Sequence, residues 1–454
     1  MIIISLPFKQ LELPFPKRSS DGIVTSNSIP PLQLTIKEII EMYLYSPVLL
    51  DKYEIYSRLQ KIIDCKTGKL GYHINICDRC ATEESHPNSC NHSLCPECQT
   101  NLSERWIKAR TPELLPVPYY QFVFSLPNKL NLFAMYNKKI VSDIFFKSVE
   151  KAMNEGPKRK GIEIGYISVL EFFAANLWFT PHMHIVVPGL GLLNNGKIQK
   201  FISKEYLPTS LEILKEEFCT EFLKRLEDEY LGKAETRKDL LKDEPEKINW
   251  PEELKELENN KDEFTKWIEM LKKEEWDVFI GDETKSDAKQ LIKYVGKRAA
   301  IRDEQIIGAN LKKVVFESEH NEKIELTLEE FIRRLANLEM PSRYHRIRNY
   351  GFLSNSVKRL KLKEIRQKLG LSEIEIEEAA ESKCKNCGEG VMQTVALILP
   401  GQKIITFDKN IDKINIKPEW LSILETMDNK SREENIEKYD FLPDWLIELI
   451  LSVD

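Results

Sequence analysis

Apolar residues recur with helical spacing near the amino terminus and alternate with polar residues in the middle of the chain. Apolar side chains three and four positions apart predict a helix from Ile36 to Ile63. Alternating positions predict strands at 120–125, 164–173, 182–187 and 276–280. Helical spacing returns in the charged segment 205–275 and again from Asp287 to Arg298. Helices and strands in this mixed order predict an α+β protein.

The chain length and composition predict several folded domains. At 454 residues the chain suits about three domains of about 150 residues each. Hydrophobic residues make up 42% of it, which excludes a wholly disordered chain. The first residues lack the basic segment of a secretory signal, and no apolar run approaches the roughly 18 residues that span a bilayer. We therefore expect a cytoplasmic protein with no membrane partner.

Charge is distributed unevenly along the chain. The 66 basic and 72 acidic residues give a net charge of −6, which by itself counts against nucleic-acid binding. Between 343 and 368, however, nine basic residues and two tyrosines stand with one acidic residue. Basic side chains neutralise phosphates and aromatic rings stack on unpaired bases, so we predict nucleic-acid contact here, with a solvated helix face as the alternative. The predicted contacts are Arg343, Arg346, Arg348, Lys358, Arg359 and Lys361.

Nine cysteines in a chain without a secretion signal indicate metal binding rather than a disulfide framework. Cys77 and Cys80 form one C-x2-C pair, and Cys95 and Cys98 form a second pair after fourteen intervening residues. This spacing lets four thiolates converge on one tetrahedral structural Zn²⁺. Unliganded cysteines in a small core are the alternative.

Other cysteines and histidines give weaker signals. Additional zinc ligands could come from His73, Cys90 and His92. Cys384 and Cys387 form a C-x2-C pair with no matching pair downstream, so they are either a weak second metal site or two free thiols in a turn. We expect Cys65 and Cys219 to pack as small apolar residues.

Two histidines lie at positions i and i+2 of a predicted strand. Successive side chains of a strand point to opposite faces, so His182 and His184 share one face. Neutral imidazole is a good ligand for a divalent metal ion. Glu171, near the end of the preceding predicted strand, could bring a carboxylate to the same ion. Unliganded surface histidines are the alternative.

A tyrosine and a lysine follow on a later predicted helix. Tyr294 and Lys297 are one turn apart and share a helix face. A tyrosine hydroxyl can attack phosphorus and form a phosphotyrosine. A metal ion held by the histidines would polarise the phosphate, and Lys297 could stabilise the developing charge. Without the histidine pair, a half-buried helix tyrosine is the simpler interpretation.

In their order along the chain these motifs resemble the HUH endonucleases, which have a histidine–hydrophobic–histidine motif and a nucleophilic tyrosine. More narrowly, the chain is similar to the rolling-circle transposases of the insertion-sequence ninety-one family. The resemblance runs from about Gly71 to Gly388. Its most specific parts are the Pro-His-Met-His motif that begins at Pro181, the helix with Tyr294, and the segment 344–351.

The chain departs from the family pattern at three places. Leu94 stands where the family usually has a histidine before a zinc-binding cysteine. Gln290 and Arg298 flank Tyr294 at a spacing of four, where many members have a second tyrosine, so a single nucleophile is expected. Glu171 stands where the family often has a histidine, so the third metal ligand is either Glu171 or Gln290.

The resemblance implies a multi-domain α+β protein. Its HUH nuclease would have a central antiparallel sheet flanked by helices, next to an N-terminal helical and zinc-binding module. The expected boundaries are an extended leader at 1–35, a helical and zinc-binding domain at 36–112, a nuclease at 113–303 with a charged helical insertion near 200–275, a basic C-terminal region at 304–400 and an acidic tail at 401–454.

The resemblance also implies a DNA transposase that nicks and rejoins the single-stranded DNA of transposon ends and target through a 5′-phosphotyrosine. It implies Mg²⁺ or Mn²⁺ at the HUH site, structural Zn²⁺, no nucleotide cofactor, and a nucleoid-associated place in a prokaryotic cytoplasm. A plasmid or phage rolling-circle replication initiator is the alternative with the same chemistry. A non-catalytic zinc-dependent DNA-binding regulator is the alternative that would form no covalent adduct with DNA.

Overall fold

A computed structural model describes residues 34–44, 59–233, 247–281, 288–319, 321–341, 344–372 and 383–400, and the backbone of 404–406. The leader up to residue 33, the acidic tail from residue 407 and Arg343 lie outside the described residues. Among the helices described, none is long and apolar enough to cross a bilayer.

The elements are numbered in chain order. The helices are α1 (Ile36–Leu44), α2 (Pro96–Arg110), α3 (Asn131–Tyr136), α4 (Lys138–Arg159), α5 (Leu211–Tyr230), α6 (Lys261–Lys272), α7 (Ala288–Val295), α8 (Leu328–Asn337) and α9 (Lys358–Lys368). The strands are β1 (Tyr72–Cys77), β2 (Glu83–Pro87), β3 (Tyr119–Ser125), β4 (Ile162–Phe173), β5 (Phe179–Pro188), β6 (Leu190–Leu193), β7 (Ile198–Lys200), β8 (Asp277–Ile280), β9 (Ile306–Ala309), β10 (Lys313–Glu317), β11 (Lys323–Thr327), β12 (Ile347–Gly351), β13 (Met392–Ile398) and β14 (Ile404–Thr406).

A seven-stranded sheet forms the centre of the molecule, and all of its strand pairings are antiparallel. Strand β5 lies between β3 and β4, while β8 pairs with β3 and β12 pairs with β4. The four strands predicted from the alternating pattern correspond to β3, β4, β5 and β8. This sheet, together with the helices around it, confirms the predicted α+β class and the antiparallel arrangement.

The two faces of the central sheet pack against different helices. Met183 and Ile185 of β5 belong to the larger core, with the aromatic side chains of α4 and α5. Val186 of β5 belongs to a second core with Leu291 and Ile292 of α7 and with apolar residues of α9. Because side chains alternate along a strand, even-numbered residues of β5 face α7. The sheet therefore presents the side chains of 182 and 184 to the tyrosine helix.

A smaller four-stranded sheet joins the two ends of the described chain. Its strand order is β14-β13-β1-β2, with β13 antiparallel to β1. Strands from the region expected to follow residue 304 take part in both sheets, and the expected domain boundaries stay a prediction. Residues 392–398 pair with the N-terminal module, and residues 347–351 pair with β4 of the central sheet. Strand pairing over about 180 to 320 positions of sequence separation leaves no local signal in the sequence.

Helix α2 packs directly against the end of the tyrosine helix. The hydroxyl of Ser103 on α2 donates a hydrogen bond of 2.5 Å to the carbonyl oxygen of Gly296, just after α7. A Cβ atom at Gly296 would lie 2.8 Å from the ring of Trp106, also on α2. Glycine is required here because the carbonyl oxygen of Ile292, 2.7 Å from that position, and the indole ring of Trp106 occupy the space that a side chain would need.

Gly296→Ala tests this close contact. The added methyl group must displace the Trp106 ring, so we expect the free energy of unfolding to fall by about 1–3 kcal/mol. Gly281→Ala is the matched control, because a Cβ at Gly281 would meet no atom closer than 3.5 Å. Urea unfolding of both variants measures the difference, and equal stability of the two would contradict the contact.

Candidate functional site

Strand β5 places the two histidines of the motif beside a carboxylate. His182 lies opposite Glu171 of β4 on one side and opposite Ser125 of β3 on the other. The Nε2 atoms of His182 and His184 lie 3.7 and 3.8 Å from Oε2 of Glu171. The strand register thus brings together three side chains that the sequence analysis had grouped.

These three side chains form a suitable ligand set for a divalent cation. One ligand atom from each of Glu171, His182 and His184 lies within 4.8 Å of the others. Two imidazoles and one carboxylate bind divalent metal ions on one side and leave positions open for substrate. Gln290, the alternative third ligand, lies on the exposed side of α7.

Neighbouring polar groups orient both imidazole rings. Nδ1 of His182 lies 2.8 Å from the carbonyl oxygen of Thr180, to which a protonated Nδ1 donates. The side-chain amide of Gln121 on β3 lies 2.9 Å from Nδ1 of His184. The Nε2 atoms of both rings are directed at Glu171. Binding of a metal ion through Nε2 of His184 would require a protonated Nδ1, which donates to the side-chain oxygen of Gln121 once that amide is turned over. Gln121 was not among the predicted site residues, although a polar side chain within the apolar strand β3 was a usable signal.

Burial sets the charge states at this site. Burial lowers the pKa of His184 well below its usual range, and the positive charges at His182 and Arg346 lower it further. Its imidazole is therefore neutral, with a lone pair for a metal ion. Burial raises the pKa of Glu171, while the neighbouring Arg346 and His182 oppose that rise.

The tyrosine of α7 lies against the histidines. The ring centroid of Tyr294 is 5.5 Å from that of His184, and the two rings are nearly perpendicular. Tyr294 is 41% exposed, so solvent and a large substrate can reach it. Burial of part of the ring raises the pKa of its hydroxyl, and the carboxylates of Glu171 and Glu319 raise it further. The phenol is therefore protonated at neutral pH.

Lys297 follows the tyrosine helix rather than lying on it. The helix ends before Gly296, which packs against Trp106, so the prediction that Lys297 shares a helix face with Tyr294 is wrong. Nζ of Lys297 nevertheless lies 5.5 Å from the centroid of the Tyr294 ring. It also donates to Oε1 of Glu319 at 2.8 Å. Contact with a phosphate would require Lys297 to give up this partner.

Arg346 is a buried part of the site. Its Nη1 and Nη2 donate to the carbonyl oxygens of Arg298, at 3.2 Å, and of Lys297. Nη2 also lies 3.6 Å from Oε1 of Glu171, with the arginine side chain only 9% exposed. The prediction that Arg346 belongs to an open nucleic-acid-binding surface is therefore wrong. Its guanidinium instead connects the carboxylate of Glu171 to the chain just after the tyrosine helix.

Ion pairs engage part of the remaining basic residues of the 343–368 segment. Three of them pair with acidic groups elsewhere: Arg348 with Asp143 at 2.9 Å, Lys358 with Glu113 at 2.8 Å, and Lys361 with Glu163 at 3.1 Å. Arg359 is exposed on α9. Composition counts charges but does not show which acidic partners the fold brings to them. DNA contact by these four residues stays a prediction.

The cysteines group differently from the prediction. The first cysteine cluster consists of Cys65, Cys90, Cys95 and Cys98, and the second cysteine cluster consists of Cys77, Cys80, Cys384 and Cys387. A single site built from Cys77, Cys80, Cys95 and Cys98 is therefore wrong, because the pairing of β1 with β13 brings Cys384 and Cys387 to Cys77 and Cys80. In the first cluster the Sγ atoms of Cys65 and Cys98 are 3.5 Å apart, and those of Cys90 and Cys98 are 3.7 Å apart.

The remaining cysteines and histidines of the sequence predictions differ in what they contact. Cys65 is a member of the first cysteine cluster, so the expectation that it is only an apolar packing residue is wrong. Cys219 packs against the large core, as expected. His73 and His92 lie outside both clusters. The Nδ1 atom of His73 is 3.1 Å from the side-chain oxygen of Asn88, and Nε2 of His92 is 2.9 Å from Oε1 of Glu339.

Comparison with known proteins gives evidence on the family of this chain that is independent of the site geometry. Residues 36–126 match a family model described as "Transposase zinc-binding domain", and residues 165–361 match one described as "Putative transposase". The first cysteine cluster lies wholly within the first match, which supports a structural Zn²⁺ there. Glu171, both histidines and Tyr294 lie within the second match.

Two relatives carry related names. A protein of Sinorhizobium fredii named "Putative transposase y4qJ" is 31% identical over 320 residues, which cover 68% of this chain and 76% of that protein. The "Transposase for insertion sequence element IS801" of Pseudomonas savastanoi pv. phaseolicola is 28% identical over 138 residues, which cover 30% of this chain and 33% of that one. No solved structure matches the chain significantly.

Arg346→Met tests the buried connection. It leaves Glu171 buried without its cationic partner, so we expect the free energy of unfolding to fall by about 3–5 kcal/mol at pH 8 without added Mg²⁺ or Mn²⁺. Arg346 opposes the rise in the pKa of Glu171, so this pKa rises further in the variant. Protonation then removes the buried charge, and the stability difference from the parent should narrow as the pH falls toward 5.

Arg359→Met is the matched control, because Arg359 is exposed on α9. Urea unfolding at pH 8 and pH 5 measures both variants. A loss of stability equal to that of the control, or one independent of pH, would show that Arg346 does not neutralise Glu171.

Proposed function

Because the chain belongs to the insertion-sequence ninety-one family of transposases, we propose that it cuts and rejoins one strand of DNA through a covalent bond to Tyr294. The observation that carries this proposal is the contact between a partly exposed tyrosine and a cluster of metal-ligating side chains. The rings of Tyr294 and His184 are 5.5 Å apart, and Glu171 and His182 complete the cluster.

The cleavage step is a transesterification. The hydroxyl oxygen of Tyr294 attacks a backbone phosphorus atom and loses its proton, while the bond from phosphorus to the 3′ oxygen breaks. The products are a 5′-phosphotyrosine and a free 3′-hydroxyl group, which takes up a proton. A Mg²⁺ or Mn²⁺ ion bound by Glu171, His182 and His184 would polarise the phosphate.

The charges around Tyr294 define what this step requires. The phenol is protonated at neutral pH, since partial burial and two nearby carboxylates raise its pKa. The negative charges of Glu171 and Glu319 oppose formation of the phenolate, so nearby positive charge must offset them during attack. Lys297, whose Nζ lies 5.5 Å from the centroid of the tyrosine ring, is one protein group that can supply such a charge.

Rejoining reverses the same chemistry. A 3′-hydroxyl group attacks the phosphotyrosine, the phosphodiester forms again, and the oxygen of Tyr294 recovers a proton. The covalent bond conserves the energy of the phosphodiester, so no nucleotide cofactor is needed. Gln290 and Arg298 occupy the positions four residues before and after Tyr294, so the helix supplies a single tyrosine to this chemistry. Each chain therefore holds one DNA end at a time. The proposed substrate class is single-stranded DNA of the transposon ends and of the target.

Tyr294→Phe tests the nucleophile. Removing the hydroxyl group removes the attacking atom, so we expect the covalent protein–DNA adduct to fall more than about 100-fold. Labelled single-stranded DNA that contains a transposon end, incubated with Mn²⁺ and run on a denaturing gel, measures the adduct. Tyr206→Phe is the matched control, because Tyr206 is 61% exposed and lies outside the site. An adduct at the parent level in Tyr294→Phe would overturn the assignment.

A comparison of Glu171→Gln with Gln290→Ala tests the third metal ligand. We expect Glu171→Gln to raise the Mn²⁺ concentration for half-maximal nicking at least about tenfold, because it removes the charged ligand beside both histidines. Gln290→Ala should leave that concentration within about twofold of the parent. The opposite ranking in a Mn²⁺ titration would assign the third ligand to Gln290.

A further inference from the structure

The second cysteine cluster is assembled from two ends of the chain. Cys77 is the last residue of β1 in the N-terminal module and Cys80 follows that strand, while Cys384 and Cys387 lie just before β13. The first pair lies within the matched zinc-binding domain, whereas the second pair lies beyond both matched stretches, which end at residues 126 and 361. Neither match therefore relates the two pairs, and the structure brings them together.

The spacing of the sulfur atoms fits a tetrahedral zinc ion. The Sγ atoms of Cys77 and Cys387 are 3.7 Å apart, and those of Cys80 and Cys384 are 3.6 Å apart. Four thiolates that each lie about 2.3 Å from a zinc ion are separated from one another by about 3.8 Å. A disulfide bond requires sulfur atoms about 2.05 Å apart, so the same four atoms are too far apart to be two bridges.

The surrounding backbone is arranged to stabilise thiolate charge. The N–H groups of Arg79 and Cys80 each lie 3.5 Å from Sγ of Cys77, to which they donate. The N–H group of Gly390 donates to Sγ of Cys387 at 3.3 Å. A side chain at Gly390 would overlap the sulfur of Cys77, so the close approach of the two loops requires glycine there.

Strand pairing and polar contacts, among them Asn386 with Thr82 and Arg79 with Glu389, hold this region together with little apolar burial. The small sheet buries a separate cluster of four apolar residues, Ile74, Val395, Ala396 and Ile398. The N–H group of Asp78 donates to the carbonyl oxygen of Val391 at 3.1 Å, and the N–H group of Val391 donates to the carboxylate of Asp78 at 2.8 Å. So small an apolar cluster is the setting in which a bound metal ion supplies much of the folding energy.

We propose that Cys77, Cys80, Cys384 and Cys387 bind a second zinc ion, which fastens β13 to the N-terminal module. The ion would connect residues about 300 positions apart and so close a loop that contains the whole central sheet and the candidate catalytic site. Cys384 and Cys387 would thus be a structural part of the zinc-binding module and not a separate metal site. This role is separate from strand cleavage, so it stands or falls on metal content and not on nicking.

Zinc content of the full chain, purified under reducing conditions, provides the test. Elemental analysis should give two zinc ions per chain for the parent and one for the double variant Cys384→Ser, Cys387→Ser. Cys219→Ser is the matched control and should retain two, because Cys219 packs against the large core outside both clusters. Two zinc ions in the double variant, or one in the parent, would overturn the proposal.

A measurement on the unaltered chain guards against misfolding of the variant. Cys80 is exposed and Cys387 is partly exposed, so free thiols at these positions would react readily with an alkylating reagent. With zinc bound, mass spectrometry should find both unmodified until a zinc chelator is added. Rapid alkylation of Cys80 and Cys387 in the zinc-containing protein as purified would show that the second cysteine cluster binds no zinc.

Discussion

The buried ion pair between Arg346 and Glu171 is the interaction on which the candidate site depends. A carboxylate beside two histidines attracts a divalent cation, but its burial is costly without a compensating charge. Arg346 supplies that charge and also binds the carbonyl oxygens of Lys297 and Arg298. One guanidinium thus connects Glu171 of the candidate metal site on the sheet to the chain segment that follows Tyr294.

The zinc-binding module holds the tyrosine helix from its other side. Helix α2 begins at Pro96, directly after a cysteine of the first cluster, and its Ser103 and Trp106 contact Gly296. The chain just after Tyr294 is therefore contacted by Arg346 from the side of the sheet and by helix α2 from the zinc-binding module. This arrangement gives the zinc-binding domain a physical link to the chemistry, in addition to any contact with DNA.

Local pattern was sufficient to predict part of this arrangement. Alternation of apolar and polar residues predicted the strand of His182 and its histidine-bearing face, because the period of a strand is a property of consecutive residues. The grouping of cysteines and the role of Arg346 were missed, because strand pairings between distant segments determine both. The second cysteine cluster had a usable signal, since two C-x2-C pairs, at Cys77 and Cys384, can complete one four-cysteine site.

The central claim is that Tyr294 becomes covalently bonded to DNA at a metal site formed by β4 and β5. The most direct measurement is mass spectrometry of the protein–DNA adduct after digestion with protease and nuclease. We expect the nucleotide phosphate to be attached to the peptide containing Tyr294, through the oxygen of that residue. Attachment to any other residue, with the peptide of Tyr294 recovered unmodified from the purified adduct, would contradict it.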